Sequence, residues 1–224
     1  MKKPAKIALL ALIAILLTIS GIVYRQHPIK VIPLYISLIV GLLQTNANRY
    51  SLLIGGFNSI LYSIAYLIMG LYGNAAQAFF FSCLFQLGSF ALWNKRKHGH
   101  STRFRKLSWP ARIVIAIGFV GAFAVVALLL DKAGSAYQVL DSLSSLLGAL
   151  ITVLTMFAFI EYTWLLTPLC IITNIMYISL MQEDMGNIIF LLHGIYSFFC
   201  VTQCFFSVQK LYAQQRKEDI EYER

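Results

Sequence analysis

Read along its polar and apolar positions, the chain divides into eight long apolar runs, at about residues 7–24, 31–46, 51–72, 75–93, 113–130, 139–160, 163–181 and 187–207. Ser, Asn, Gly and Gln separate most of them. A helix needs about 20 apolar residues to cross a hydrocarbon core, so the pattern predicts eight spans. The second run is the shortest. Pro28 and Pro33 lie at its start, where a helix accommodates proline. The first run follows Lys2, Lys3 and Lys6 and resembles a signal peptide. It is long for one, however, and no A-x-A cleavage site follows, so it reads as an uncleaved first span.

Composition agrees with this reading. Of 224 residues, 59% are hydrophobic and 12% charged, against roughly 45–50% and 25% in a soluble domain. Eight spans use about 160 residues and leave about 64 for loops and tails. This excludes a soluble enzyme domain, a secreted disulfide scaffold and a disordered chain. It also leaves no room for a large extramembrane domain. The expected fold is an all-α integral membrane protein with eight transmembrane helices, residues 1–224 forming one transmembrane domain.

Charge sets the expected orientation. Net charge is +9, from 18 Lys and Arg against 9 Asp and Glu. Three basic clusters fall on one side of an eight-span chain: the N-tail, the loop 94–112 and the C-tail with Lys210, Arg216 and Lys217. Lys95, Arg96, Lys97, Arg103, Arg105, Lys106 and Arg112 lie in that loop without one acid. The positive-inside rule then puts both termini in the cytoplasm, with the chain in the plasma membrane. Arg25 and Lys30 fall on the other side. The basic loop suits anionic lipid headgroups, so membrane lipid is the expected partner and nucleic acid is not. The tail "QKLYAQQRKEDIEYER" alternates sign and reads as a solvated helix end. Cys83, Cys170, Cys200 and Cys204 all lie in apolar stretches and read as buried thiols, with no disulfide framework or metal site.

Polar groups at membrane depth are the candidate chemistry. Asn58 and Tyr62 lie mid-span in the third run, and Gln86 in the fourth, with Gln77 near its outer end. Thr152 and Thr155 are central in the sixth, and Asn174 in the seventh. His193, Tyr196 and Gln203 lie in the eighth. Together they supply amides, hydroxyls and one imidazole but no central acid or base. That inventory suits a neutral, hydrogen-bonding ligand. Such side chains also join helix to helix, at around 0.6 kcal/mol each. The expected substrate contacts are Asn58, Gln86, Trp164 and Asn174, with Tyr62, His193 and Tyr196 behind them. Trp93 and Trp109 flank the basic loop as an interfacial belt. Asp141 and Glu161 bracket the sixth run and read as helix caps. No P-loop, G-x-G-x-x-G, H-E-x-x-H or G-x-S-x-G occurs. Neither an enzyme nor a self-powered pump is expected, and no cofactor or metal.

A faint repeat is present. Asn58 and Tyr62, then Gly73-Asn74 and a Phe-rich span, are echoed by Asn174 and Tyr177, then Gly186-Asn187 and a second Phe-rich span. Two three-helix units joined by the fifth span would then be parallel repeats, with a ligand near midplane between them.

The segment "GGFNSILYSIAYLIMGLYGNAAQAFFF" resembles the third and fourth spans of the PnuC family of vitamin transporters. There a Gly is followed seven residues on by Tyr, then by a Leu-Tyr loop and a Gln-aromatic start. Asp141 with Ser144 and Ser145 matches that family's Asp-x-x-Thr-Thr, and Glu161 its following acid. The resemblance covers most of residues 31–208. It implies a 3+1+3 core related to the SWEET sugar carriers. The extra N-terminal span would be 1–30, the first unit 31–94, and the basic loop with linking span 95–137. The second unit would be 138–208 and the tail 209–224. It also implies import of nicotinamide riboside by facilitated diffusion, with trapping by a cytoplasmic kinase. Two tryptophans, three apart, open the seventh span of nicotinamide riboside members. Here Thr163 and Leu166 stand in their places, with Trp164 beside them and Cys170 at the polar position that follows. Losing a stacking pair changes which heteroaromatic ring is held. Deoxynucleoside, thiamine and riboflavin carriers of the same family are therefore alternatives. The partner implied is a small, neutral or weakly charged heteroaromatic, and a homo-oligomer is compatible with the sequence.

Two other classes compete. One is a substrate-binding subunit of an ATP-driven vitamin importer, which would dock through small residues such as Ala8, Ala11 and Ala14. The other is a non-transporting scaffold or sensor using the basic loop or tail.

Overall fold

The computed structural model describes residues 3–222 of the chain; Lys2, which enters the charge argument above, lies outside them. Seven helices are long and apolar enough to cross a membrane, and a shorter apolar helix makes the eighth. They are α1 (Lys3–Val23), α2 (Pro28–Gln44), α3 (Tyr50–Ile68), α4 (Tyr72–Lys95), α5 (Trp109–Lys132), α6 (Gln138–Met156), α7 (Tyr162–Glu183) and α8 (Ile188–Tyr222).

The short helix α2 has 17 residues, about 26 Å at 1.5 Å per residue. His27 caps it, its ring nitrogen Nδ1 accepting from the Ile29 N–H at 3.2 Å, and Pro28 opens it. Pro33 lies inside the helix rather than at its start. Asn58 on α3 donates its Nδ2 to the Pro33 carbonyl at 2.9 Å, tying α3 to α2 at that point.

Six helices close a ring. α2 packs on α3 and α8, α3 on α4, α4 on α6, α6 on α7, and α7 on α8. α1 lies outside the ring against α8 and α2, and α5 lies outside it along α6. α5 buries none of its residues within the protein. One apolar cluster, with Leu17, Leu34, Met176 and Phe190, fills the bundle toward one end. A second, with Trp93, Leu154, Tyr162 and Val208, fills the other. Large apolar side chains also face outward on most helices, as a lipid-facing surface requires.

The end carrying the basic loop is more ordered than its charge suggests. β1 (Lys97–His98) and β2 (Ser101–Thr102) form a short antiparallel hairpin. Gly99 turns it at φ +57°, a conformation glycine adopts without strain. The backbone of Arg105 then bonds the α6–α7 turn, donating to Ala158 O at 2.8 Å and accepting from Ile160 N at 2.9 Å. Arg49, between α2 and α3, donates its backbone N–H to His100 O at 3.1 Å.

The C-tail is not a solvated end throughout. α8 continues as one helix to Tyr222, and Gln215 is buried. Its Oε1 accepts from Phe104 N at 2.9 Å and its Nε2 donates to Thr102 O at 2.9 Å. Trp93 also departs from the belt expectation. It is buried, stacks edge-on against Phe104 and donates its indole N–H to Thr155 O at 2.8 Å. Trp109 is 70% exposed, as a belt residue would be.

Candidate functional site

A cavity of about 250 Å³ opens inside the ring, between α2, α3, α4, α6 and α7. From α4 it takes Asn74, Gln77, Ser82, Gln86 and Trp93; from α6, Ser144, Gly148, Ile151, Thr152 and Thr155. Val40 and Gln44 of α2 and Ser51, Leu52 and Tyr66 of α3 form the facing wall, which α7 extends with Tyr162, Leu166, Leu169 and Thr173. Among the described residues, no Lys, Arg, His, Asp or Glu lines it. The surface is therefore uncharged, with amides, hydroxyls and aromatic faces.

Most of the hydroxyls are spent as donors. Thr152 donates to Gly148 O at 2.9 Å, Thr155 to Ile151 O at 2.7 Å and Thr173 to Cys170 O at 3.1 Å. Each retains lone pairs that a ligand's own N–H or O–H can use. Gln44 and Gln86 make no side-chain hydrogen bond among the described residues, so their amides are free as donor and acceptor. Gln77 donates its Nε2 to Ser82 Oγ at 2.7 Å. These two residues are five apart and meet because α4 is π-helical from Gln77 to Cys83, a winding that brings i and i+5 together.

Asp141 fixes the position of α4. Its Oδ2 accepts from Gly73 N at 2.8 Å, and its Oδ1 from Asn74 N at 2.8 Å and Asn74 Nδ2 at 2.5 Å. The Ser135 hydroxyl also reaches it. The first turn of a helix has backbone N–H groups with no partner in the helix itself. Asp141 therefore caps α4, across the bundle, rather than its own helix. Ser144 accepts from Asn74 Nδ2 at 2.7 Å, and Ser145 donates to Ser142 O at 3.1 Å. Glu161 likewise accepts from outside its helix, from Leu107 N at 3.1 Å and Arg112 Nη2 at 2.5 Å. It ties the start of α7 to the start of α5.

Of the seven expected contacts, Gln86 lines the cavity. Tyr62 and His193 come together, with ring centroids 6.4 Å apart, and Tyr62 stacks on the cavity residue Tyr66 at 5.5 Å. Asn58 donates to Pro33 O and to Ser37 Oγ, both at 2.9 Å. Tyr196 donates to Leu38 O at 2.8 Å, joining α8 to α2. Asn174 donates to Cys170 O at 2.7 Å, and its side chain lies against Gly194 of α8. Trp164 is 45% exposed on the outer surface, beneath the Arg112 guanidinium at 5.4 Å. The cavity adds Gln44, Ser51, Tyr66, Ser82 and Tyr162, which sequence reasoning did not select. Gln44 and Ser51 sit at the ends of apolar runs, where a polar residue carries no signal. Tyr66 and Tyr162 look like any interfacial aromatic.

The family model for nicotinamide mononucleotide transporters matches residues 27–208. No curated protein matches the chain. The crystal structure of the vitamin B3 transporter PnuC superposes with a TM-score of 0.79 at 15% sequence identity, covering 96% of this chain and 94% of that one. The shared fold extends through α1, which the family match does not include. The ring, its uncharged cavity and the match over residues 27–208 lead to one assignment: the chain belongs to the nicotinamide mononucleotide transporter family and is a multi-pass membrane transporter.

Proposed function

We propose that this transporter imports nicotinamide riboside, or a related neutral or weakly charged vitamin or nucleoside, by facilitated diffusion with metabolic trapping inside the cell. The observation that carries this reading is the absence of any cationic side chain on the cavity wall among the described residues. A nucleotide's phosphate calls for Arg or Lys, or for free N–H groups at a helix N-terminus. Three helix N-termini reach the wall: that of α4 is occupied by the carboxylate of Asp141, and the first N–H groups of α3 and α7 donate to the preceding turns, Ser51 N to Asn48 O and Thr163 N to Ile160 O among them. A ligand without phosphate fits this wall better. Gln86, Gln44 and Gln77 would bond ribose hydroxyls or a carboxamide, and Tyr66, Trp93 and Tyr162 would face the ring. Tyr62 and His193 stand behind Tyr66. Asn58, Asn174 and Tyr196 act through the helix contacts they make, and Trp164 acts at the outer surface with Arg112.

The turn geometry supports a 3+1+3 arrangement with α1 as the extra span. Left-handed residues recur in step: Arg25 before α2 and Tyr137 before α6, then Ala47 after α2 and Ala158 after α6. α5 joins the two units from outside the ring. The basic hairpin and the tail of α8 share one end of the bundle, where Arg103 meets Asp219 at 3.0 Å and Lys6 reaches Thr45 at 3.2 Å. This supports cytoplasmic termini in the plasma membrane.

The test is binding to detergent-purified protein by tryptophan fluorescence, with nicotinamide riboside, nicotinamide mononucleotide, thiamine, riboflavin, thymidine and deoxyadenosine. Saturable binding of an unphosphorylated compound, and none of the mononucleotide, is expected. Equal or tighter binding of the mononucleotide overturns the reading. Proteoliposome uptake should proceed down the substrate gradient without ATP; a strict requirement for ATP would favour the importer-subunit alternative.

A further inference from the structure

Two glycines face the two cavity glutamines of α4. A β-carbon built at Gly148 on α6 would lie 2.9 Å from Nε2 and 3.0 Å from Cδ of Gln77. One built at Gly55 on α3 would lie 2.5 Å from Oε1 of Gln86. In both places the obstructing atom is the far end of a flexible side chain, not backbone. A methyl group added there would displace the amide and leave the helices where they are. Gly56 and Gly73 differ. At Gly56 the added carbon would meet Leu87 at 2.9 Å and the Cys83 carbonyl at 3.4 Å, and at Gly73 it would meet Leu130 at 2.6 Å and the Asp141 anchor at 3.1 Å. Those positions serve packing, whereas Gly55 and Gly148 meet only the cavity amides at close range.

The π-helical stretch completes the arrangement. In an α-helix, residues five apart point about 140° away from each other at 100° per residue. Here Gln77 and Ser82 share a face and a 2.7 Å hydrogen bond. One end of the Gln77 amide is thus committed to Ser82, its carbon rests over Gly148, and its other end is left to the cavity. Gln86 has Gly55 behind it and no hydrogen-bonding partner among the described residues.

We infer that Gly55 and Gly148 are specificity-determining positions. They set how far the Gln86 and Gln77 amides withdraw into the wall, and so the size of ligand admitted and where its polar groups are met. The inference rests on the transport reading above and concerns the same cavity. An alanine at either position pushes an amide into the space the ligand occupies.

The experiment compares wild type, Gly148→Ala, Gln77→Asn and the double variant, with the parallel set Gly55→Ala and Gln86→Asn. The readouts are dissociation constants for the bound members of the compound panel and thermal stability in detergent. One misplaced methylene in a pocket is worth about tenfold or more, so Gly148→Ala should bind at least that much more weakly. Its melting temperature should be unchanged or higher, because alanine is the better helix former. Asparagine is one methylene shorter than glutamine, so Gln77→Asn in the Gly148→Ala background should recover most of the lost affinity, although it weakens binding alone. Wild-type affinity in both alanine variants overturns the inference. So does a double variant weaker than either single, or an unrescued loss of affinity that tracks a fall in melting temperature. Wild-type protein that binds none of the panel overturns the transport reading instead.

Discussion

Asp141 on α6 holds Asn74 on α4 twice, accepting from its backbone N–H at 2.8 Å and from its side-chain amide at 2.5 Å. The second oxygen takes Gly73 N at 2.8 Å. A single buried carboxylate thus replaces the missing turn of the neighbouring helix in the ring, one turn ahead of Gln77. Asp141→Asn keeps the shape but removes the charge and turns an N–H₂ group toward donors. It should lower stability by about 3 kcal/mol, since a buried donor left without an acceptor costs that order. Thermal unfolding in detergent checks this, and binding should weaken in parallel because α4 carries the cavity glutamines.

Gln86→Leu and Asn58→Leu should fail in opposite ways. Gln86 faces the cavity without a protein partner, so leucine there should leave the melting temperature intact and reduce affinity at least about tenfold. Asn58 holds α3 to α2 through Pro33 O and Ser37. Leucine there should cost about 1 kcal/mol of stability and disturb binding only as far as α3 shifts. Melting curves and titrations on the same two preparations separate them.

The same pair shows how much could be read in advance. Both are amides in mid-span, and the sequence marks both as polar groups the membrane would not tolerate unpartnered. Which one meets a neighbour and which meets a cavity depends on what α2 and α6 offer across the gap, and a single chain's pattern does not encode that. The spans themselves were legible, because about 20 apolar residues make a long signal. The run expected at 113–130 became Trp109–Lys132, and that at 187–207 became the body of α8. The hairpin was not legible: its strands are two residues each, too short for any periodicity. The π-helical turn has no propensity signature either.

Tyr66 and Tyr177 join α3 to α7 at the edge of the cavity, hydroxyl to hydroxyl at 3.1 Å. Replacing either with Phe should give nearly the same loss, and replacing both little more. A double-mutant cycle on unfolding should show a coupling of about 0.6 kcal/mol. If this contact closes one end of the cavity, uptake in proteoliposomes should change in rate with little change in equilibrium affinity.

Gln215 satisfies two backbone groups of the hairpin segment, at Phe104 and Thr102. Gln215→Ala leaves both unpaired in a buried setting, at about 1–3 kcal/mol for the local structure. Hydrogen exchange should accelerate over residues 97–104 and remain unchanged in α3 and α7. Protection equal to wild type across the hairpin would show that Arg49 and Arg105 hold it unaided.

No residue of α5 is fully buried by the rest of the protein. Its outward face is thus read by the lipid alone, and only two properties are under scrutiny there: thickness and oiliness. Mutation should scramble that face freely. A stretch of unrelated apolar residues that keeps Arg112, held by Glu161, and Leu130, set against Gly73, ought to serve in its place, so relatives should diverge on that face faster than anywhere in the ring. For an engineer it is the natural seam, where a tag, a break or a foreign span would disturb transport least.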